Sequence, residues 1–478
     1  MLFNSLDFAI FLPLVFILYW FVSQKNLKGQ NLLIIIASYV FYGWWDWRFL
    51  SLIVLSTMVD YGIGQRLSLT QGKRKRKILL GISLLVNLGV LGFFKYVNFF
   101  IDNFTTAFSF FGAEISSNSL SIILPVGISF YTFQTLSYTI DIYRGKLRPA
   151  EDIVSFAAFV CFFPQLVAGP IERATNLLPQ FQKKRSFNYG KSIDGVKQVL
   201  WGLFKKIVIA DNCAEYANYI FDNSDALSGS TLVVGAVFFT FQIYGDFSGY
   251  SDIAIGVSRL FGFDLKQNFA FPYFSRDIAE FWRRWHISLS TWFRDYLYIP
   301  LGGSRGTTFK KVRNTFIVFA ISGFWHGANW TFVVWGLLNA VYFLPLLLTK
   351  TNRNHLNNVA QGKYLPAPRE VFKMASTFML TVFAWIFFRA ESMDHALNYI
   401  GTVFSTSLLQ FPEITPVREF TLIFIFLLIE WLGREGQYGL EKIGLKWSKS
   451  IRYSLYYGIL FTILWFRGSE QEFIYFQF

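Results

Sequence analysis

Two of the four histidines stand in sequence contexts where an imidazole could do chemistry. The first, His326, is flanked by Gly323 and Gly327, which permit a tight turn or a close backbone approach. An imidazole titrates near neutrality and can accept a proton from a hydroxyl, and burial would keep it neutral, which suits a general base. A structural histidine bonded to a backbone carbonyl is an equally good interpretation. His355 and His395 lie in polar stretches and carry no such signal.

The second, His286, falls in a segment with helical periodicity. Ser275 is a suitable N-cap, and Asp277 is favourable in a first helical turn. Apolar residues then recur at helical spacing along one face: Ile278, Phe281, Trp282, Trp285, Leu289, Trp292 and Phe293. We therefore predict an amphipathic helix over 275–294 that lies along the cytoplasmic face of a membrane or dips into it. His286 is at the edge of the apolar stripe, where a structural role is the more common alternative.

A stretch just before this segment mixes polar and apolar residues within what reads as a membrane-spanning helix. Its polar members are Gln242, Tyr244, Asp246, Ser248, Ser251 and Asp252. An ionisable group at the membrane centre costs about 2.5–3.5 kcal/mol, so these side chains should face a protein-lined interior. Asp246 and Asp252 could pair with arginines and hold helices together, or they could line a cavity. The two interpretations are compatible.

The composition identifies the class of protein that must position these groups. Of 478 residues, 53% are hydrophobic and 15% are charged, against about 25% charged in soluble domains. Stretches of ~20 apolar residues, enough to cross a bilayer, recur along the chain. Apolar content excludes disorder, and a chain with only two cysteines, Cys161 and Cys213, is not a disulfide scaffold. Fe–S and cysteine-zinc sites lack ligands, and the four histidines form no His-rich metal cluster. We read the net charge of +14 as positive-inside loops and contact with lipid headgroups, not as nucleic-acid binding.

The apolar stretches predict an all-α, polytopic membrane protein with about 11–13 spans and one integral domain, 1–478, whose motif core is 241–330. The first apolar run lacks a basic n-region and a cleavage site, so we expect a retained helix. The segment 152–169 is predicted to be re-entrant. The expected spans are 8–22, 31–45, 49–64, 78–101, 121–142, 196–218, 231–256, 314–325, 328–349, 374–390, 418–433 and 453–468.

Basic clusters orient these spans. The clusters beginning at Lys25, at Lys73 and at Arg144 are separated by pairs of spans and define the cytoplasmic side. The same count places other segments inside: 259–313, 350–373 and 434–452. The lysine-free segments 102–120 and 219–230 then lie outside. The turn at His326 is therefore expected toward the exterior.

Three motifs resemble the hallmarks of the membrane-bound O-acyltransferases, in the same order along the chain. They are the run 241–252, the stretch from Phe281 to Gly303, and Phe324–Gly327. Within that family the sequence is most similar to the bacterial branch that holds the alginate O-acetylation membrane protein and the teichoic-acid D-alanylation protein. Ala168–Arg173 and Phe473–Phe478 favour the alginate type.

The resemblance implies a ring of tilted helices around a thin, funnelled centre. It implies that His326 is the catalytic histidine, reached by an acceptor from outside and an acyl donor from inside, and that His286 lies nearer the cytoplasmic mouth. No metal and no bound cofactor are expected, and the co-substrate is an acyl donor, acetyl-CoA or an acyl carrier protein thioester. Further candidates for the donor path or cavity wall are Tyr244, Asp246, Trp285, Arg283, Arg284, Arg294 and Asn329.

The resemblance also implies partners and a location. A periplasmic acetyltransferase would pass the acetyl group to a polysaccharide such as alginate, and the protein would lie in the bacterial inner membrane. The arginines could steer an anionic donor, or they could contact lipid headgroups. Two other functions stay open at this point: a transporter or flippase with intramembrane charges along its path, and a non-catalytic scaffold of a polysaccharide export complex.

Overall fold

The computed structural model describes residues 1–23, 26–110, 120, 122–167, 169–467 and 471–474. Several residues on which the sequence interpretation drew lie outside this part of the chain. They are Lys25 of the first basic cluster, residues 111–119 of the predicted exterior segment, Ala168, and Tyr475–Phe478.

The regular structure within the described residues is helical throughout, which confirms the all-α prediction. The helices are α1 (Leu6–Ile17), α2 (Leu27–Asp46), α3 (Leu50–Leu69), α4 (Lys73–Phe110), α5 (Ile128–Tyr143), α6 (Ile153–Cys161), α7 (Phe163–Leu166), α8 (Ala174–Phe181), α9 (Tyr189–Leu203), α10 (Asp211–Asp222), α11 (Gly229–Leu260), α12 (Ile278–Arg284), α13 (Ile287–Phe293), α14 (Thr308–His326), α15 (Trp330–Leu348), α16 (Pro368–Arg389), α17 (Met393–Val403), α18 (Val417–Gly433) and α19 (Lys449–Trp465). Three of them continue into π-helical turns: α1 into Leu18–Val22, α9 into Phe204–Ala210 and α13 into Arg294–Tyr298.

Every predicted span overlaps a helix or a helix with its π-helical continuation, but the span 121–142 was set too early, because 122–127 are not helical and α5 begins at Ile128. Residues 121 and 468, at the ends of two predicted spans, lie outside the described part of the chain. Four helices of the described chain, α4, α11, α15 and α16, are by themselves long and apolar enough to cross a membrane. The run Leu6–Val22 is apolar but shorter. Hydropathy locates these helices well because a helix in lipid must be apolar along most of its length and must satisfy its own backbone.

The chain divides into two compact units. Unit 1 comprises Met1–Gly195 and Ala254–Lys266, and unit 2 comprises Val196–Ile253 and Gln267–Phe478. The boundary falls within α11, and every candidate site residue named above lies in unit 2. A single integral domain stays a prediction.

In unit 1, the segment predicted to be re-entrant is a broken helix. The Asp152 side chain caps α6 by accepting the N–H of Ser155 at 3.0 Å. The helix ends where Phe162 adopts φ −49° and ψ 103°, and α7 follows at once. The N–H of Phe163, freed by the break, donates to the Ser38 hydroxyl at 3.0 Å. Such a break is tolerated at membrane depth only where protein surrounds it, and these residues are fully buried.

The loops of unit 2 form two groups of mutual contacts. In the first group, the Arg283 guanidinium donates to the carbonyls of Asn352 and His355, each at 2.8 Å, and Arg434 donates to the carbonyl of Val359 at 3.0 Å. These contacts join three segments predicted on the cytoplasmic side: 259–313, 350–373 and 434–452.

The second group involves the opposite set of loops. The Ser228 hydroxyl donates to the carboxylate of Glu413 at 2.6 Å, and the Asn329 side chain donates to the carbonyl of Glu391 at 2.8 Å. The loop 219–230 and the turn after His326 were both predicted outside. Loops that were predicted on the same side of the membrane therefore contact one another, as the predicted topology requires. Which of the two sides is cytoplasmic stays a prediction.

Candidate active site

The periodic segment around His286 does not form one helix, and our prediction over 275–294 is wrong in two respects. The N-cap of α12 is Asp277, whose carboxylate accepts the N–H of Glu280 at 2.7 Å, and not Ser275. The helix is also interrupted between α12 and α13, where His286 adopts the left-handed conformation with φ 43° and ψ 55°. The angular position expected for His286 on a continuous helix is therefore not the one it occupies.

The linker between α11 and α12, residues 261–277, causes this interruption through two backbone hydrogen bonds. The N–H of Ala270 donates to the carbonyl of Arg284 at 2.9 Å, and the N–H of Ile287 donates to the carbonyl of Asn268 at 2.8 Å. A left-handed conformation costs a non-glycine residue about 1–3 kcal/mol and persists only where the surroundings enforce it. Here the linker holds His286 in that conformation.

Asn268 also determines the tautomer of the His286 ring, that is, which of its two nitrogens carries the proton. Its Oδ1 accepts from the hydroxyl and the N–H of Ser288, at 2.8 and 3.2 Å, while its Nδ2 donates to the Ser251 hydroxyl at 3.1 Å. The same Oδ1 lies 3.1 Å from Nδ1 of His286. An oxygen that acts as acceptor requires the proton on Nδ1, which leaves the lone pair of the neutral ring on Nε2.

His286 is buried, and aromatic rings pack against its side chain. Its side chain is 1% exposed, and the Phe247 ring packs edge-on at a centroid distance of 4.6 Å. Burial lowers the pKa of His286 to about 3, so the imidazole is neutral at physiological pH.

The second histidine, His326, is the last residue of α14 and is 4% exposed. Its ring packs edge-on against Trp335 at 5.1 Å and against Phe388 at 5.3 Å. Asn329, three residues on, caps α15 by accepting the N–H of Thr331 at 3.0 Å. The turn that carries His326 is thus fixed at both of its ends.

Glycines bring α14 and α15 into close contact beside His326. A Cβ atom on Gly323 would overlap the carbonyl oxygen of Phe332, and a Cβ on Gly336 would overlap the carbonyl oxygen of Phe319. A Cβ on Gly327 would overlap the Phe332 ring. The close backbone approach predicted at Gly323 and Gly327 is therefore confirmed at Gly323, whereas at Gly327 the missing Cβ makes room for the ring of Phe332.

One tryptophan contacts both histidines. The ring centroid of Trp325 lies 4.9 Å from that of His326 and 6.3 Å from that of His286. The fold thus brings together two buried imidazoles that are 40 positions apart in the sequence, with one aromatic side chain against both.

The two aspartates of α11 are ion-paired with lysines and not with arginines, so the partner type predicted for them is wrong. Asp246 lies 2.8 Å from Lys206, and Asp252 lies 2.5 Å from Lys205. The π-helical turn Phe204–Ala210 carries both lysines. Two adjacent lysines within a predicted span were the available signal, since buried charges in a membrane protein need partners.

Tyr244 has a partner that the sequence interpretation also missed. Its hydroxyl donates to the carboxylate of Glu430 at 2.5 Å, and the Trp201 indole N–H donates to the other carboxylate oxygen at 3.2 Å. Glu430, on α18, is 2% exposed. Tyr244 thus joins α11 to α18.

The three candidate arginines have different surroundings. Arg283 binds the loop carbonyls described above, and Arg284 pairs with Glu280 at 2.9 Å and with the Asn358 side chain at 3.1 Å. Arg294 pairs with its neighbour Asp295, and its side chain is 58% exposed. Arg294 therefore presents its guanidinium at the surface of the described structure.

Trp285 is part of the aromatic core beneath this region. It is 1% exposed and stacks on Phe281 with ring centroids 5.5 Å apart and planes 18° apart. It also contacts Trp385 at 5.1 Å, and Trp385 in turn stacks on Trp335, which contacts His326. Trp285 therefore supports the site through other rings.

Comparison with known proteins identifies the family to which the chain belongs. Residues 147–388, which include both histidines, match the membrane-bound O-acyltransferase family, MBOAT. The chain belongs to this family. A probable alginate O-acetylase of Pseudomonas putida is 38% identical over 507 aligned positions that cover all of both chains. A peptidoglycan O-acetyltransferase of Helicobacter pylori is 36% identical over 84% of this chain and 79% of that protein. A teichoic acid D-alanyltransferase of Bacillus subtilis is 27% identical over 58% of this chain and 71% of that protein.

These matches confirm the predicted resemblance. The protein is a multi-pass membrane acyltransferase of the MBOAT family. The transporter and scaffold alternatives lose their support, because the relatives that match along most of the chain are named for acyl transfer.

Proposed function

We propose that this MBOAT protein transfers an acetyl group from a cytoplasmic thioester to a hydroxyl on the opposite side of the membrane. The donor would be acetyl-CoA or an acyl carrier protein, and the process served would be O-acetylation of a polysaccharide such as alginate. The observation that carries the proposal is the pair of buried histidines around Trp325. His286 is held by the linker on the side of the first loop group, and His326 lies in a turn that contacts the second.

The chemistry requires one base and a dry site. The acceptor oxygen attacks the thioester carbonyl carbon, an O–C bond forms, the C–S bond breaks, and the thiol leaves with a proton. His326 would take the hydroxyl proton as general base and return it to the leaving sulfur. General base catalysis of this kind contributes about 10²–10⁴-fold. The aromatic walls around His326 support the proposal because they would exclude the water that hydrolyses thioesters.

His286 would serve the donor side. With its proton held on Nδ1 by Asn268, the ring offers Nε2 as an acceptor, and with a pKa near 3 it would act by accepting a hydrogen bond and not by holding a proton at rest. We propose that it orients the thioester or assists the proton transfer. Arg294, which is exposed on the same segment, would attract the phosphates of the donor.

The partners follow from the same proposal. Two relatives are named for the acetylation of alginate and of peptidoglycan. We therefore propose an inner-membrane location and a periplasmic acetyltransferase that passes the group to the polysaccharide.

The ester content of the host's extracellular polysaccharide tests the activity. A deletion strain would carry the wild-type gene, His326→Ala or His395→Ala at matched membrane levels. His395 is the control, because its ring contacts Ser224 and Tyr399. We expect acetyl esters to vanish with His326→Ala alone. Wild-type ester levels with His326→Ala would contradict the proposal.

Sealed vesicles of the two orientations test the direction of transfer. Labelled acetyl-CoA or acetylated carrier protein added outside inverted vesicles should acylate an acceptor enclosed within them. The same donor added to right-side-out vesicles should be inert. Equal transfer in both orientations would contradict a cytoplasmic donor.

A further inference from the structure

The last segment that the structure describes, 471–474, reaches a buried ion pair. The N–H of Ile474 donates to Oδ2 of Asp246 at 2.6 Å, and the carbonyl of Gln471 accepts from Nζ of Lys206 at 3.0 Å. Phe473 and Ile474 are 0% and 1% exposed. Both partners of the buried pair therefore hold the backbone of this segment.

The Lys206 ammonium has three acceptors in this arrangement, one for each of its N–H donors. Its side chain is 1% exposed, and it lies 2.7 Å from Asp211 and 2.8 Å from Asp246. An ammonium group has three N–H donors, and the carbonyl of Gln471 is the third acceptor. A buried charge with an unmade hydrogen bond is costly, so the segment completes the coordination of the ammonium.

Aromatic contacts continue from the segment to His286. The Phe473 ring lies 4.5 Å from Tyr250 and 6.0 Å from Phe247, centroid to centroid. The Phe247 ring lies 4.6 Å from His286 and meets it edge-on, at 83°. Packed aromatic side chains transmit displacement because interiors are close-packed.

We propose that Lys206 and Asp246 are positioning residues, which hold segment 471–474 inside the protein so that Phe473, through Phe247, fixes the orientation of the His286 ring. Asp246, a candidate for the cavity wall on the sequence alone, acts in this view through the segment and not by touching substrate. The inference rests on the proposed function only because that function makes the orientation of His286 matter. Its tests measure hydrogen exchange and histidine resonances, and neither needs transferase activity.

Hydrogen exchange measures the anchoring directly. In the full-length protein in lipid nanodiscs, the amide of Ile474 should exchange slowly, and Asp246→Ala should accelerate exchange of a peptide covering 471–474 at least about tenfold. Asp246→Asn, which keeps an acceptor oxygen, should retain part of the protection. Asp264→Ala, which removes the carboxylate of an exposed pair with Lys191, is the control and should change nothing there. Equal exchange in Asp246→Ala and wild type overturns the anchoring.

Nitrogen-15 labelling of the four histidines measures the positioning. With the His286 resonance assigned by its loss in His286→Asn, Phe473→Ala should move that resonance and leave those of His355 and His395 in place. Phe461→Ala on α19, where the ring is 61% exposed, is the matched control. A His286 resonance that stays fixed in Phe473→Ala overturns the positioning role even where the anchoring holds. If the wild-type protein had no transferase activity but Phe473→Ala still moved the His286 resonance, the inference would be supported and only the proposed function would be contradicted.

Discussion

The side-chain oxygen of Asn268 lies 3.1 Å from Nδ1 of His286 and accepts two further hydrogen bonds from Ser288. Asn268 lies 18 positions before the histidine, in the linker between α11 and α12 and outside the motif that contains His286. It nevertheless fixes both the tautomer of the ring and, through its own carbonyl, the break in the helix. The geometry of His286 is thus a property of two segments, and a substitution in the linker should affect the ring.

Asn268→Ala should lower the acyl transfer rate while leaving the protein in the membrane. The change removes the acceptor that holds the proton on Nδ1. Partners that orient metal-bound histidines contribute about 10–100-fold, and we expect a loss of similar size here. Initial rates at matched protein levels measure the effect. Asn268→Asp keeps the acceptor oxygen and should recover a large part of the rate. Equal losses in the two variants would show that the amide group and not the acceptor matters.

The helices of this protein were predictable because lipid imposes a strong, local rule on composition. Each predicted span overlaps helical structure, because about 20 apolar residues are needed wherever a chain crosses the bilayer. The family motifs likewise single out His286 and His326 as candidates from the sequence alone, and the roles of both stay predictions.

The environment of each histidine was not predictable, because it depends on contacts between distant residues. The break at His286 follows from backbone bonds to Asn268 and Ala270, which helical periodicity cannot reveal. The partners of Asp246 and Tyr244 are Lys206 and Glu430, and only the fold decides which buried charges meet.

The free energy of unfolding should depend on pH through His286. Burial lowers its pKa to about 3, whereas an unfolded chain has a histidine pKa of about 6.5. The unfolded state therefore binds the proton between these values, and the stability fully present above about pH 6.5 declines as pH falls below it. His286→Gln should flatten thermal unfolding midpoints measured between pH 7.5 and 5. His395→Gln keeps His286 and should keep the slope, and an unchanged slope in His286→Gln would contradict the assignment.

Gly323→Ala should displace His326. The added Cβ would overlap the carbonyl oxygen of Phe332 and push α15 away from α14, and overpacking of this kind costs about 1–3 kcal/mol. We expect a lower unfolding temperature and a lower transfer rate. Gly458→Ala, in α19 where a Cβ meets open space, is the control and should be neutral or stabilising. Wild-type values for Gly323→Ala would show that the helices do not need this close approach.

Arg294→Gln should raise the KM for the acyl donor about threefold to tenfold with little change in kcat, since an exposed charge that attracts phosphates contributes to binding and less to the chemical step. The effect should shrink at high salt. Arg48→Gln removes another exposed arginine that pairs with a close neighbour, Asp46, and should leave KM unchanged. If both variants have wild-type KM values at low salt, Arg294 has no role in donor binding.

Glu280→Gln should destabilise the site segment, and the loss should depend on pH. The Glu280 carboxylate is 1% exposed and lies 3.0 Å from Arg276 and 2.9 Å from Arg284. Burial acts to raise the pKa of Glu280, but the hydrogen bonds from Arg276 and the charge of Arg284 outweigh it, and the net shift is downward. A lowered folded pKa contributes stability that is present above the unfolded value of about 4.3 and is lost as pH falls through the folded value.

Removing one member of a buried ionic cluster typically costs about 3–5 kcal/mol, so the unfolding temperature of Glu280→Gln should fall clearly at pH 7. The difference from wild type should shrink as the pH drops below about 4.3, where the unfolded wild-type chain takes up the proton, and should be lost once the pH falls below the lower pKa of the folded state. Asp264→Asn removes the carboxylate of the exposed pair with Lys191, whose side chains are 62% and 52% exposed, and exposed pairs contribute about 0–1 kcal/mol. A loss in Glu280→Gln no larger than that in Asp264→Asn at pH 7 would contradict the account, because α12 would then be held in place by its apolar face and not by this carboxylate between two arginines.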